Sequence, residues 1–311
     1  MALPPAPSHP RRLAFLGTPE MSVRPLRALV DAGYDIVLVV SQPDRRRGRG
    51  GRPTPSPVKQ AALEAGLPVT DRVDDLLEVE ADLGVVVAFG RLIRPHVLRR
   101  LPMVNLHYSL LPRWRGAAPV ERAILAGDER TGVDLMVVEE GLDTGGIYDR
   151  VEMEIGPNET AAELRARLTE AGTRLLLDNL DRGLGEPTPQ RGEPTHAAKI
   201  QPADLEIDWS RPAVEVHRVV RVGGAWTTVR GKRLKVWRTT LDRQSHERPG
   251  GPGGPAPTRS AGGVRNGTLA VPAGDGVVHL VEVQPEGGRR MPAGDWANGV
   301  RWDPARDRMG S

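Results

Sequence analysis

The sequence predicts an α/β chain, a parallel sheet with helices on both faces followed by a smaller all-β part. Three observations carry that expectation. Short continuous apolar runs alternate with helix-patterned segments in the first part, as in a sheet buried on both faces. Pro and Gly then thicken from Gly185 to Pro194. Beyond them, strand-like segments are short and separated by turns, the pattern of a small barrel.

The elements follow in order. Arg12–Gly17 (RLAFLG) is the first apolar run, and a helical pattern around Val23, Leu26, Leu29 and Val30 comes after it. Asp35–Val40 (DIVLVV) is a second strand, and Pro57–Ala65 a helix closed by Gly66. Leu83–Phe89, Val104–His107 and Val133–Val138 are the third, fourth and fifth strands. Thr160 and Glu163 form a capping-box pattern, in which each side chain satisfies the other's backbone N–H. The helix behind them places Leu164, Leu168, Leu175 and Leu176 on one face and ends near Gly183. Further on, Arg233–Arg238, Gly267–Val271 and Val277–Val283 are strand-like. Arg248–Gly263 is Pro/Gly-rich and of low complexity. The expected organisation is a disordered Pro-rich tail at 1–11, a first domain at 12–184, a linker at 185–204 and a second domain at 205–311.

Composition narrows the function classes. A chain of 311 residues suits two cores. It has no cysteine, which excludes disulfides and thiolate chemistry and leads us to expect a cytoplasmic protein. Its seven histidines lack metal-ligand spacing, so no metal is expected. No run approaches the ~20 apolar residues of a membrane span. The part from Lys199 onward holds 18 of the 43 basic but only 12 of the 40 acidic residues. The front is therefore near neutral to acidic and the back is basic, which fits either a polyanion partner or an ordinary solvated surface.

A doubly wound sheet binds ligands outside the carboxyl ends of its strands. Asn105 and His107 close the fourth strand, and Asp143 follows the fifth in a Gly-rich turn. Alternate strand positions project to one side, so Asn105 and His107 share a face. An amide donor, an imidazole and a carboxylate could together steady an oxyanion and manage a proton. By spacing alone they could equally be structural hydrogen-bonders. The first turn, Gly17-Thr18-Pro19, is no GxGxxG fingerprint, which disfavours a dinucleotide.

Asn105 to Gly116 reads NLHYSLLPRWRG, and Gly141 to Gly145 reads GLDTG. These two motifs, in this order, resemble the signatures of the folate-dependent formyltransferase family. The opening FLGTPE, the QPDR…GRG…PSPVK stretch from Gln42 to Lys59, AKIQPADLEIDWS from Ala198 to Ser210 and QPEGGRRM from Gln284 to Met291 are similar to its methionyl-tRNA branch. The resemblance implies a Rossmann-like domain followed by an OB-like barrel. It implies formyl transfer from 10-formyltetrahydrofolate to the amino group of methionyl initiator tRNA, by a monomer that uses no metal.

By the same resemblance, Asn105 and His107 would hold the formyl oxygen, and Asp143 would set the state of His107. The reduced folate would lie against Val87, Ala88, Phe89 and Gly90, with Ser109, Leu110, Leu111, Pro112, Glu139 and Leu142 shaping its slot. Asp44–Pro53 carries five arginines and three glycines. It is either a solvated loop or a phosphate-contacting one; the resemblance implies tRNA contact by Arg45, with Arg46, Arg47, Arg49 and Arg52 assisting. The basic run Arg230, Lys232, Arg233 and Lys235 would track tRNA backbone. The chain departs from the family pattern at Tyr108, where Gly or Ala is usual, and at Phe89, where Tyr is common. An amino-sugar formyltransferase, a folate hydrolase and an inactive RNA-binding homologue are the rival expectations.

Overall fold

The computed structural model describes residues 3–46, 53–241 and 263–310. The chain divides into two compact units. One comprises Met1–Val120, Arg130–Glu154 and Arg165–Ala198, and the other Glu121–Glu129, Ile155–Leu164 and Lys199–Ser311.

The first unit is built on seven strands: β1 (Arg12–Gly17), β2 (Asp35–Val40), β3 (Val69–Thr70), β4 (Leu83–Val87), β5 (Met103–His107), β6 (Arg130–Val137) and β7 (Ile147–Glu154). Their order across the sheet is β7-β6-β5-β4-β1-β2-β3. Leu13, Phe15, Leu16, Val39, Val40, Val85 and Val87 are fully enclosed, which is why these strands read as unbroken apolar runs. The expected parallel sheet is in fact mixed: β1 to β5 pair in parallel, whereas β6 runs antiparallel to β5 and β7 antiparallel to β6. The sequence hid β7 because, from Arg150 on, exposed charged residues alternate with half-buried Val151 and Met153, so no apolar run appears.

The helices are α1 (Val23–Asp31), α2 (Pro57–Glu64), α3 (Pro95–Leu98), α4 (Pro119–Ala126) and α5 (Ala161–Arg182). Ser56 caps α2 by accepting from the Lys59 N–H at 3.0 Å. The capping box of α5 forms: Thr160 N–H donates to Glu163 Oε2 at 2.9 Å, and Glu163 N–H to Thr160 Oγ1 at 3.3 Å.

The chain runs from β1 outward to β2 and β3, then returns to the other side of β1 for β4 and β5. That reversal opens a crevice at the carboxyl ends of β1 and β4. Gly17 permits it, since a Cβ there would fall 2.8 Å from the Phe15 ring and 2.9 Å from Ser22 Cβ.

Two boundary expectations change. Residues 3–11, expected to be disordered, make defined contacts. The Ser8 carbonyl accepts from Leu184 N–H at 2.8 Å, and Leu3 packs on the cluster containing Phe89, Val97 and Met103. The stretch from Gly185 to Ala198, expected as linker, belongs to the first unit. There Thr188 bridges Ile147, and His196–Ala197 pairs with Arg115–Gly116. Pro and Gly in that stretch shape turns without loosening the chain.

The second unit contains β8 (Trp226–Val229), β9 (Lys232–Leu241), β10 (Val264–Arg265), β11 (Thr268–Pro272) and β12 (Val277–Pro285), antiparallel in the order β8-β9-β12-β11-β10. A short β13 (Met291–Pro292) pairs with β12. Together with α6 (Ala213–Val222) and α7 (Ala293–Gly299), these strands enclose a core of Val216, Val220, Leu234, Val236, Leu280 and Trp296, among others. Leu234 and Val236 of β9 point inward, which leaves Arg233 and Lys235 on the opposite, exposed face; Lys232, at the start of the strand, is exposed as well. The Pro/Gly-rich stretch up to residue 262 lies outside the described residues.

Candidate active site

Asn105 and His107 lie two residues apart on β5 and face Met136 and Asp134 of β6 in register. His107 is 4% exposed. Its Nε2 sits 2.9 Å from the Trp114 carbonyl oxygen. A carbonyl only accepts, so Nε2 carries the hydrogen and Nδ1 holds the lone pair of the neutral ring. That Nδ1 lies 3.6 Å from Asp143 Oδ2. Burial pulls the imidazole below the usual histidine range, while the Asp143 carboxylate and the Trp114 carbonyl draw it partly back up. The Asn105 side-chain amide makes no hydrogen bond among the described residues.

Asp143 lies in the turn between β6 and β7 at φ 52°, a conformation that costs free energy in a non-glycine residue. Three contacts hold it. Gly116 N–H donates to Asp143 Oδ2 at 2.8 Å. Gln190 Nε2 donates to the carbonyls of Asp143 and Gly145, each at 2.9 Å. Gln190 Oε1 in turn accepts from Arg115 Nη2 at 2.6 Å. A Cβ at Gly145 would fall 2.1 Å from the Val137 carbonyl, so only glycine allows this turn to close.

The residues expected to line a folate slot separate into groups. Ala88 and Gly90 take positive φ, 46° and 74°, in the loop after β4. The Val87 carbonyl accepts from Ser22 Oγ at 2.7 Å, and the Phe89 carbonyl from Thr18 Oγ1 at 3.1 Å and Gln42 Nε2 at 3.2 Å. Those two carbonyls pin the loop. Phe89 and Leu111 are buried at 3% exposure, and Ser109 donates to the Arg113 carbonyl, so all three serve packing and loop shape. Leu110 and Pro112 are half-buried, whereas Leu142 is 54% exposed.

A cavity of about 740 Å³ opens beside the Asp143 loop. Leu98, Met103 and Val137 to Gly141 line it on one side, and Arg115, Tyr148, Gln190 and Leu3 to Ala6 on others. Of the expected folate residues, only Glu139 is among its walls. Sequence reasoning placed Ser109 to Arg115 at the pocket wall but missed the Trp114 carbonyl as the partner of His107, and it missed Gln190 and Leu3 altogether. A backbone carbonyl and a distant glutamine carry no local signal of such a role.

The basic candidates also divide. Arg45 and Arg46 are exposed on a two-residue strand paired with Pro53–Thr54. Arg47, Arg49 and Arg52 lie outside the described residues. Arg230, in the basic run that could track tRNA, is ion-paired with Asp307 at 2.6 Å and keeps about half of its side chain exposed. On the sheet, the Arg233 guanidinium lies 3.8 Å over the Trp226 ring, and Arg290 lies 3.3 Å over Trp237, which Lys235 also approaches at 5.8 Å. Such cation–aromatic stacks hold charge at a surface with little loss of freedom. Among the described residues no His, Asp or Glu cluster could hold a metal, and no helix is long and apolar enough to cross a membrane.

The chain is similar to proteins with this chemistry. It is 42% identical over 306 residues to the methionyl-tRNA formyltransferase of Symbiobacterium thermophilum, covering 93% of this chain and 92% of that one. It is 42% identical to the methionyl-tRNA formyltransferase of Streptomyces coelicolor, covering 93% and 97%. Among solved structures, the N-formyltransferase of Helicobacter canadensis matches with a TM-score of 0.65 at 17% identity, covering 90% of this chain and 99% of that one. HypX of Aquifex aeolicus, in complex with tetrahydrofolic acid, matches with a TM-score of 0.64 at 20% identity. That match covers 95% of this chain and 48% of HypX. The formyl transferase family model matches residues 11–180 and the formyl transferase C-terminal domain model residues 199–301, so the chain belongs to the formyl transferase family, alongside the methionyl-tRNA formyltransferases.

Proposed function

We propose that the chain transfers the formyl group of 10-formyltetrahydrofolate to the α-amino group of methionyl initiator tRNA, with Asn105, His107 and Asp143 as its catalytic residues. One observation carries the reading: His107 Nδ1 faces Asp143 Oδ2 at 3.6 Å, on the strand face that also presents Asn105. The cavity beside the Asp143 loop has none of Asn105, His107 and Asp143 among its walls and only Glu139 of the expected folate residues, so we place the reduced folate in the crevice at the carboxyl ends of β1 and β4, against the loop from Val87 to Gly90. When bound, that donor supplies an activated formyl carbon.

The chain's own groups then have distinct tasks. Asn105 donates its amide N–H to the formyl oxygen as charge develops there. The incoming amine must arrive neutral, and after attack it sheds a proton. His107 Nδ1 is the free basic nitrogen that takes this proton, since Nε2–H is committed to the Trp114 carbonyl. Asp143 stabilises the resulting imidazolium, whose Nδ1–H can then return the proton to the departing nitrogen. No covalent link to the chain forms. The reading takes the chain as a cytoplasmic monomer.

An amino-sugar acceptor has weaker support. The solved Helicobacter canadensis protein, crystallised with dTDP-3-aminofucose, shares only 17% identity, which speaks for the fold alone. Incubation of the purified chain with 10-formyltetrahydrofolate and either methionyl initiator tRNA or a nucleotide-linked amino sugar separates the two. Formyl-methionyl-tRNA is the expected product; formylated sugar with untouched tRNA would overturn the reading.

Arg45 is the first choice for tRNA contact, because it is exposed on a short paired segment. With Arg45→Ala, the KM for tRNA is expected to rise several-fold, with kcat retained. The slope of log affinity against log salt should shrink by roughly one phosphate's worth, about 0.7–0.9. A parent-like slope and KM would remove Arg45 from the interface.

A further inference from the structure

Within the sheet, next to His107, sits a charged pair that the proposed reaction does not use. Asp134 on β6 is 0% exposed. Its Oδ2 accepts from the Leu111 N–H at 2.8 Å and from Arg150 Nη2 at 2.7 Å. Arg150, opposite it on β7, uses the same Nη2 to reach the Leu111 carbonyl at 3.0 Å. Both backbone polar atoms of Leu111 are thus gripped by one ion pair. Asp134 Oδ1 has no hydrogen-bond partner among the described residues. Such burial is costly: it pushes the Asp134 carboxyl up to about 6, against the pull of Arg150 and the Leu111 amide. An enclosed carboxylate is weak evidence for stability, because an apolar residue often serves as well. What it does supply is position.

Leu111 is where the loop after β5 is fastened to β6 and β7; its far end, Arg115–Gly116, is held separately by pairing with His196–Ala197. Three residues later that loop presents the Trp114 carbonyl to His107 Nε2, and five residues later the Gly116 N–H to Asp143 Oδ2. Asp134 also stands directly opposite His107 in the strand register. We propose that Asp134 and Arg150 are positioning residues, which clamp Leu111 so that the Trp114 carbonyl and Gly116 amide hold His107 and Asp143 in working geometry. Neither touches substrate, so their loss should leave donor and tRNA binding intact while slowing the chemistry.

The test uses the full chain with Asp134→Asn, Arg150→Met and Arg150→Lys. Arg150 is 42% exposed, so Asp134→Asn leaves no buried unpaired charge and the fold should persist, whereas Arg150→Met leaves the enclosed Asp134 without its cation and should also lower the melting temperature, so Asp134→Asn is the deciding variant. Hydrogen exchange reads the clamp without any reaction. Amides from Leu111 to Gly116 are expected to exchange about tenfold faster in Asp134→Asn and Arg150→Met, with β1 and β4 unchanged and Arg150→Lys in between. The kinetic part rests on the formyl-transfer reading: kcat should fall about tenfold to a hundredfold, with both KM values within about threefold of the parent. Parent-like exchange at 111–116, or a uniform loss of protection across the first unit, overturns the clamp. A parent chain that forms no formyl-methionine refutes the proposed function, and the exchange result then decides the clamp by itself.

Discussion

Replacing His107 by alanine is expected to lower formyl transfer by about a thousandfold or more, with donor and tRNA affinities within about threefold of the parent. The size follows from two losses in one side chain. Nδ1 is the basic nitrogen facing Asp143 and the one available to take the proton shed by the attacking amine. Once protonated, it also becomes a charged donor beside the developing oxyanion. The ring is nearly enclosed, so alanine leaves a void too small to reshape the tRNA-facing surfaces. Single-turnover rates set against separately measured binding constants check the split. A variant whose KM rises while its rate persists would assign His107 to binding.

Asp143→Asn should cost about a hundredfold in kcat, less than the loss of His107. Asparagine keeps an oxygen for the Gly116 N–H and the shape of the turn, which Gln190 holds through backbone carbonyls. What it removes is charge. The Asp143 carboxylate draws the His107 imidazole upward against burial, so without it the ring becomes a poorer base and its cation is unsupported. Stability to heat should change little. If Asp143→Asn melts far below the parent, the residue acts mainly in holding the loop.

The parts of this molecule legible in the sequence are those where burial leaves a run or a cap leaves a pair. β1 and β2 begin and end where their apolar runs do, because both faces are covered. The capping box announces α5 one turn ahead. β7 went unread because its charged residues face out and leave no run. The candidate site was half legible. Asn105, His107 and Asp143 stand in recognisable motifs, but the group that fixes the His107 tautomer is a backbone carbonyl, which any residue could supply. Asp134 left a trace, a lone carboxylate inside VDLMVV, but its partner Arg150 became visible only once β6 and β7 were seen to pair. Leu3 shows the opposite failure. A Pro-rich opening suggests a loose tail, yet one leucine finds an apolar surface near the cavity and holds it.

The most direct test of the account is an NMR titration of the His107 imidazole in the parent and in Asp143→Asn. The account predicts a midpoint below the ordinary value of about 6.5 in the parent, lower still in the variant, with Nε2 protonated in the neutral ring. A variant midpoint equal to or above that of the parent would show that His107 and Asp143 do not act on one another, and a parent midpoint above 6.5 would contradict the enclosed setting of the ring.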